Sequence, residues 1–366
     1  MEECLPPLAP GNSFLRDYTN YARQITDAPD AYHLAVALSI FSTAVCDRTL
    51  IPRGPTGIPP TLWMILVGRS RHDRKTTSIR IGTALAKATA MGNRLIEGTS
   101  SAEGLQRLLS EYPARTMLYP EFGRYLEAAG SGYEAKQRRL MMELFDPSDG
   151  EFKHDLGKGT KNRILNHRLG MLAACATTFI LHKTKREDWE GGFFGRSIIV
   201  FGNRGDRNQP QGSPDPIASA DLRRRIEAMT TTPIPVCGGL TKKADEIFHS
   251  WDILNDQRSV KANDLVQTFY GGMCTTAWKI AMLYALDTGT ARDDGWLINE
   301  QSAYYAIKFC ESIWRPSFEA LAGKIVLDAD TAVLYRVENA IEQAGTTGIK
   351  RSELARATRL TTRKMN

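Results

Sequence analysis

Residues 61–86, TLWMILVGRSRHDRKTTSIRIGTALA, decide the fold. Leu62 to Val67 is an unbroken apolar run behind Pro59-Pro60 and ahead of Gly68, the pattern of a strand buried on both faces. A polar loop, Gly68 to Arg74, leads to Lys75, Thr76, Thr77 and Ser78. The apolar residues that follow, Ile79, Ile81, Ala84, Leu85 and Ala88, fit one face of a helix. A strand, a loop and Lys-Thr opening a helix is the layout of a phosphate-binding loop: the helix N-terminal amides favour an anion, the lysine reaches the outer phosphates and a hydroxyl ligates magnesium. Aligned on Lys75-Thr76, that pattern expects glycine at positions 69 and 74, where the chain has Arg69 and Arg74, and Gly68 comes one residue early. Arginine lacks the backbone freedom that lets amides wrap a phosphate. The residues alone therefore leave two readings, a phosphate loop or a basic turn between a buried strand and a helix.

Further strands and helices alternate around this unit. Upstream, a proline-rich leader to Pro10 reads as extended, Phe14 to Ile25 as a short helix capped by Asn12 or Ser13, and Tyr32 to Val45 as a buried helix. Downstream, a helix through Leu109 starts near Ser101, and Arg115 to Tyr119 gives a second apolar strand ending in Pro120-Glu121. A glutamate there is where nucleotide hydrolases hold the group that polarises the attacking water. The aspartate that usually precedes it is Pro120 here, and a plain strand-end carboxylate is the other reading. Leu169 to Ile180 reads as a third strand with Thr177 and Thr178 at its end, and Ser197 to Phe201 as a fourth, preceded by Gly-Phe-Phe-Gly-Arg196. This alternation predicts an α/β sheet with its ligand at the strands' carboxyl ends.

Between the second and third strands, residues 145–167 form a Gly- and Lys-rich excursion or hairpin. Its Lys153, His154, Lys158, Lys161 and Arg163 suit either a phosphate backbone or solvent. Asn203 to Ser219 reads as a surface loop and Asp221 to Met229 as a basic helix. Three helices, Lys242 to Leu254, Leu265 to Leu286 and Asn299 to Leu321, read as a helical lid or bundle. From Thr331 the pattern is helix, glycine turn, helix, turn and basic helix, with Lys350, Arg351, Arg356, Arg359, Arg363 and Lys364 clustered. That is the order of a helix-turn-helix or winged-helix unit, expected to be incomplete in this chain at its reading helix. The expected division is a leader and short helix over 1–30, a core over 31–235, a lid over 236–325 and the basic module over 326–366.

At 366 residues the chain can bury a large core, and its net charge of +6 leans mildly toward polyanionic partners. The six dispersed cysteines lack paired ligand spacing and read as buried thiols of a reducing compartment. With neither a signal peptide nor a bilayer-length apolar run, a cytoplasmic protein without a membrane partner is the expectation.

Taken in order, LWMILVGRSRHDRKTTS, LYPEFGRYL, GFFGRSIIVF, KIAMLYAL and GIKRSELARATRLT resemble the P-loop ATPase domains of phage- and plasmid-type replication proteins, a helicase-like family sometimes fused to primases. The resemblance covers residues 30–366, and a loop ending Arg-Lys-x-Thr-Ser is a familiar variant within it. It implies a RecA- or AAA+-like core with ATP and Mg2+ as cofactors. Gly68, Arg74, Lys75, Thr76, Thr77 and Thr178 would contact the nucleotide, and Thr76 and Glu121 the metal. Lys75 and Glu121 would act in catalysis, with Arg196 as an arginine finger reaching a neighbouring subunit. It also implies a homo-oligomeric ring, expected to be hexameric, on single-stranded or forked DNA. The hairpin cations and Lys350, Arg351, Arg359, Arg363 and Lys364 would be the nucleic-acid contacts, and a primase a further partner. Two rivals stay open: a DNA clamp or loader that hydrolyses poorly because of Arg69, Arg74 and Pro120, and a nucleotide-gated regulator or defence component.

Overall fold

The computed structural model describes residues 9–54, 56–98, 101–128, 133–145, 151–155, 161–184, 188–189, 192–202, 212–260, 262, 264–289, 295–322, 337, 340–341 and 348–358. The apolar run after Pro60 forms β1 (Trp63–Gly68), buried at every residue. It has a parallel neighbour on either side, β6 (Arg168–Ala176) and β7 (Ile198–Phe201). β3 (Ala114–Tyr119) pairs with β6 and β2 (Leu95–Glu97) closes the edge, giving a parallel sheet in the order β2-β3-β6-β1-β7. Covering on both faces is why its inner strands read as continuous apolar runs. The chain leaves β1 for the far edge, works back through β3 and β6, and then crosses β1 to reach β7. Connection order thus reverses at β1, and the crevice beyond the strands' carboxyl ends at such a point is where open α/β sheets hold ligands.

Helices cover both faces. α1 (Phe14–Ile25) is capped by Ser13, whose hydroxyl accepts from the Arg16 amide, and it packs on α2 (Asp30–Val45), where every residue from Tyr32 onward is buried. α3 (Lys75–Lys87) follows β1, and α4 (Ala102–Glu111) is capped by Ser101. α5 (Phe122–Ala128) and α6 (Tyr133–Phe145) follow β3 and lead to an antiparallel hairpin, β4 (Glu151–Asp155) with β5 (Lys161–Leu165), as the excursion reading allowed.

Several sequence expectations are corrected. The third strand stops at Ala176, and Thr177 opens α7 (Thr177–Lys183). The reason is pairing: Ala176 is opposite Gly68, the last residue of β1, so backbone groups beyond it have no strand to bond and satisfy one another as a helix. The expected loop to Ser219 ends earlier, because Asp215 caps and Pro216 opens α8 (Pro216–Thr231), proline being suited to a first helical turn. The predicted helical region contains a short parallel pair, β8 (Cys237–Leu240) with β9 (Trp296–Ile298), beside α9 (Lys242–Val260) and α10 (Asp264–Asp287). Its last helix is interrupted: α11 (Glu300–Phe309) passes through a π turn at Cys310–Trp314 into α12 (Arg315–Ala322), where Pro316 cannot donate an amide.

These helices share one apolar core with the sheet. Ser317 Oγ accepts the Phe201 amide at 2.9 Å, Phe318 meets Trp189 edge-on, and Asp287 at the end of α10 accepts the Phe14 and Leu15 amides at 2.6 and 3.1 Å. Cys46, Cys175, Cys237, Cys274 and Cys310 are buried free thiols, and Cys4 lies outside the described residues. Among the described residues no helix is long and apolar enough to cross a membrane.

Candidate functional site

The loop between β1 and α3 sits at the sheet's reversal point, and its shape comes from buried polar groups. Arg71 and Arg74 have left-handed backbones, with φ of 60° and 55°. Arg74 stands where the phosphate-loop pattern expects glycine, and it holds a conformation that glycine adopts most readily. Its Nε lies 3.4 Å from Oδ1 of Asp27, a carboxylate in the α1–α2 connection whose side chain is 1% exposed. Inside the loop, Asp73 Oδ2 accepts the Arg69 amide at 2.5 Å, and Oδ1 is 2.8 Å from His72 Nδ1. Gly68 has its own reason to be glycine: a Cβ there would stand 2.4 Å from Tyr32 Oη and 2.7 Å from Asp73 Oδ2. It is a close-approach glycine rather than a displaced member of the motif.

Lys75 is buried, and its Nζ donates to the carbonyls of Gly68 and Arg69, both at 2.9 Å. Burial lowers its pKa, while the nearby Asp73 carboxylate acts the other way. The Ser78 amide donates to Arg74 O, and no side chain caps α3. The amides of Lys75, Thr76 and Thr77, which open the helix, therefore have no intrahelical acceptor and are available to an anion. Along residues 69–75 four cations, Arg69, Arg71, Arg74 and Lys75, accompany the single carboxylate Asp73.

At the neighbouring strand end, Thr76 Oγ1 donates to Pro120 O at 3.3 Å, joining α3 to the end of β3. Glu121 follows at once, exposed and ion-paired with Arg124 Nε at 3.0 Å. The expected trio of Lys75, Thr76 and Glu121 thus does share one edge of the sheet. A cavity of about 700 Å³ opens from Thr76, Pro120 and Glu121 and runs between α3 and α5 toward Lys87 and Glu97, an ion pair at its far end. Lys75 faces the other way, toward the loop carbonyls.

Other expected residues fall differently. Thr178 is exposed in the first turn of α7, whereas the hydroxyl of Thr177 beside it is buried with no hydrogen-bond partner. Because Ala176 pairs with Gly68, the last residue of β1, Thr177 is the first residue beyond the paired rungs. Arg196 does not join Lys75 within the chain. Pairing of Met64 with Ile198 puts it at the amino end of β7, the opposite edge of the sheet from Gly68. There Nη1 donates to Gly192 O at 3.2 Å and the guanidinium lies 5.6 Å from the Phe145 ring centre.

In the hairpin, Lys153 is paired with Arg163, His154 with Asn162 and Lys161 with Asp155, so the basic positions share neighbouring rungs. Lys158 lies outside the described residues, as do Arg359, Arg363 and Lys364. Lys350 and Arg351 are exposed at the start of α13 (Arg351–Thr358). Among the described residues no cluster of three or more His, Cys, Asp or Glu side chains could by itself hold a metal ion. Neither protein-family models nor curated proteins yield a match to this chain.

The residues that sequence reading passed over are Tyr32, Asp27 and Asp73. Asp73 carried a local signal, an acid set among arginines. Tyr32 and Asp27 carried none, because each meets the loop only through the fold.

Proposed function

We propose that the chain binds ATP with magnesium at the β1–α3 loop and hydrolyses it as a RecA- or AAA+-like P-loop ATPase, driving a closed, six-membered ring along DNA in the manner of a mobile-element replicative helicase. The observation that carries this reading is the meeting, at the reversal point of a parallel sheet, of an uncapped helix start, Lys75, Thr76 and the strand-end Glu121. The donor set fits a triphosphate: the amides of residues 75–77 and the Lys75 ammonium offer only donors to phosphate oxygens. It fits magnesium more sparsely, through the Thr76 hydroxyl and Glu121, which suits an ion that keeps several waters and takes most of its other ligands from phosphates. Bound there, the metal would neutralise charge between the outer phosphates.

The chain's own groups would then divide the work. Lys75 would leave the Gly68 and Arg69 carbonyls for the phosphates, Glu121 would leave Arg124 to orient a water, and the unpartnered Thr177 hydroxyl would meet the terminal phosphate. Arg196, remote from its own loop, would act on a neighbouring subunit's nucleotide, which requires the repeated interface to close into a ring. The hairpin cations and the basic start of α13 are the proposed contacts to the DNA backbone.

A second reading, the hydrolysis-poor clamp, is favoured by two features: Pro120 replaces the metal-supporting aspartate, and Glu121 is engaged by Arg124. ATP turnover with and without single-stranded DNA, in wild type and Glu121→Gln, separates the two. DNA-stimulated turnover lost in Glu121→Gln supports the motor. DNA binding without turnover in either protein supports the clamp.

A further inference from the structure

We propose that Asp27 and Asp73 are positioning residues of the β1–α3 loop, two buried carboxylates that hold it in the shape its missing glycines would otherwise allow. The inference rests on the nucleotide reading for its purpose and on the loop's own geometry for its mechanics.

Asp73 and Lys75 grip the same peptide group from opposite sides. The amide of the Gly68–Arg69 peptide donates to Asp73 Oδ2 at 2.5 Å, and its carbonyl accepts from Lys75 Nζ at 2.9 Å. A peptide held at both its N–H and its C=O cannot rotate, so the turn leaving β1 is fixed without glycine at position 69. The Asp73 side chain is 1% exposed, with the Arg69 guanidinium at 3.5 Å and the His72 ring at 2.8 Å, polar partners of the kind a buried carboxylate requires. If Lys75 turns to a phosphate, Asp73 alone keeps this peptide in place.

Asp27 acts one step further along the loop. A non-glycine residue in the left-handed region is strained. Arg74 occupies that region directly before the helix start, and the buried Asp27 carboxylate holds its side chain from the α1–α2 connection. The part of Asp27's role that runs through Arg74 is therefore lost when residue 74 is a glycine, which would keep the conformation unaided. That conditional dependence distinguishes a positioning role from a general contribution to stability.

The test uses the full chain, with Mg-ADP as probe and amide hydrogen exchange over residues 68–77 as an independent readout. Asp27→Asn should weaken ADP about tenfold and speed loop exchange, and Asp27→Asn/Arg74→Gly should restore both to within about threefold of wild type. Asp73→Asn should speed exchange of the Arg69 amide selectively. A double variant no better than Asp27→Asn, or loop exchange unchanged in either single variant, overturns the proposal. If Asp27→Asn fails to fold, recovery of folded protein in the double variant is the same restoration, and failure of both overturns it. Wild type that binds neither ADP nor ATP would sink the nucleotide reading while leaving the exchange result to decide the positioning role of the two carboxylates. Normal binding with unmoved exchange would sink the positioning role alone.

Discussion

Gly68→Ala is the most informative small change in the site. A methyl at this position would sit 2.4 Å from Tyr32 Oη and 2.7 Å from Asp73 Oδ2, so the tyrosine must withdraw. Its hydroxyl donates to Val67 O at 2.6 Å and accepts from the Gly202 amide at 3.1 Å, bonds that tie the carboxyl ends of β1 and β7 to α2. Overpacking a tight site costs about 1–3 kcal/mol and losing a buried hydrogen bond about 1 kcal/mol, which puts the variant roughly 2–4 kcal/mol below wild type. Urea denaturation followed by tryptophan fluorescence reads this directly. Tyr32→Phe removes the clashing oxygen and should cost about 1 kcal/mol alone. The pair Tyr32→Phe/Gly68→Ala should then lose about 1–2 kcal/mol less than the sum of the singles, because the same oxygen carries both effects. Additivity to within about 0.5 kcal/mol would refute the close-approach explanation of this glycine.

Other expectations concern the frame around the site. Burial pushes the Asp287 carboxyl up to about 6 from its ordinary 3.8, against the opposing pull of the Leu15 and Phe14 amides and Arg225. Its contribution is fully present below pH about 4 and is lost as pH rises through about 6; the stability of wild type relative to Asp287→Asn should fall by about 3 kcal/mol across that window, measured by denaturation at a series of pH values. Thr177→Val removes a buried hydroxyl that has no partner, so thermal stability should hold or rise by up to about 1 kcal/mol while ATP turnover falls; unchanged turnover would strip Thr177 of its proposed role. Arg94→Met should destabilise by about 2–3 kcal/mol in the same denaturation assay, since the buried guanidinium donates to Thr43 O, Ala44 O and Asp47 at the end of α2.

How far the sequence carried these conclusions differs from element to element. β1, α2 and α3 were legible because long apolar runs and a 3.6-residue period record burial directly. β2 and β9, three residues each, are too short for any period to register and exist through the partners they meet. The end of β6 was misread because Thr-Thr-Phe-Ile is good strand composition, whereas the length of β1, set elsewhere in the chain, decides where pairing stops. In the site, Lys75 with Thr76 and Glu121 could be read from local pattern. Arg74 could not, since arginine in a glycine position looks like a lost motif until the left-handed backbone and Asp27 are seen together. Thr177 and Thr178 are indistinguishable as neighbours in sequence, and only burial separates them.

The most direct test is calorimetric titration of the purified chain with Mg-ATP, beside Lys75→Ala. Saturable binding by wild type that weakens at least about a hundredfold in Lys75→Ala, roughly 3 kcal/mol, is the expected result, because the variant loses a charge-assisted contact to the phosphates. Equal affinity in the two proteins, or no binding by wild type, would contradict the assignment of the β1–α3 loop as a nucleotide site.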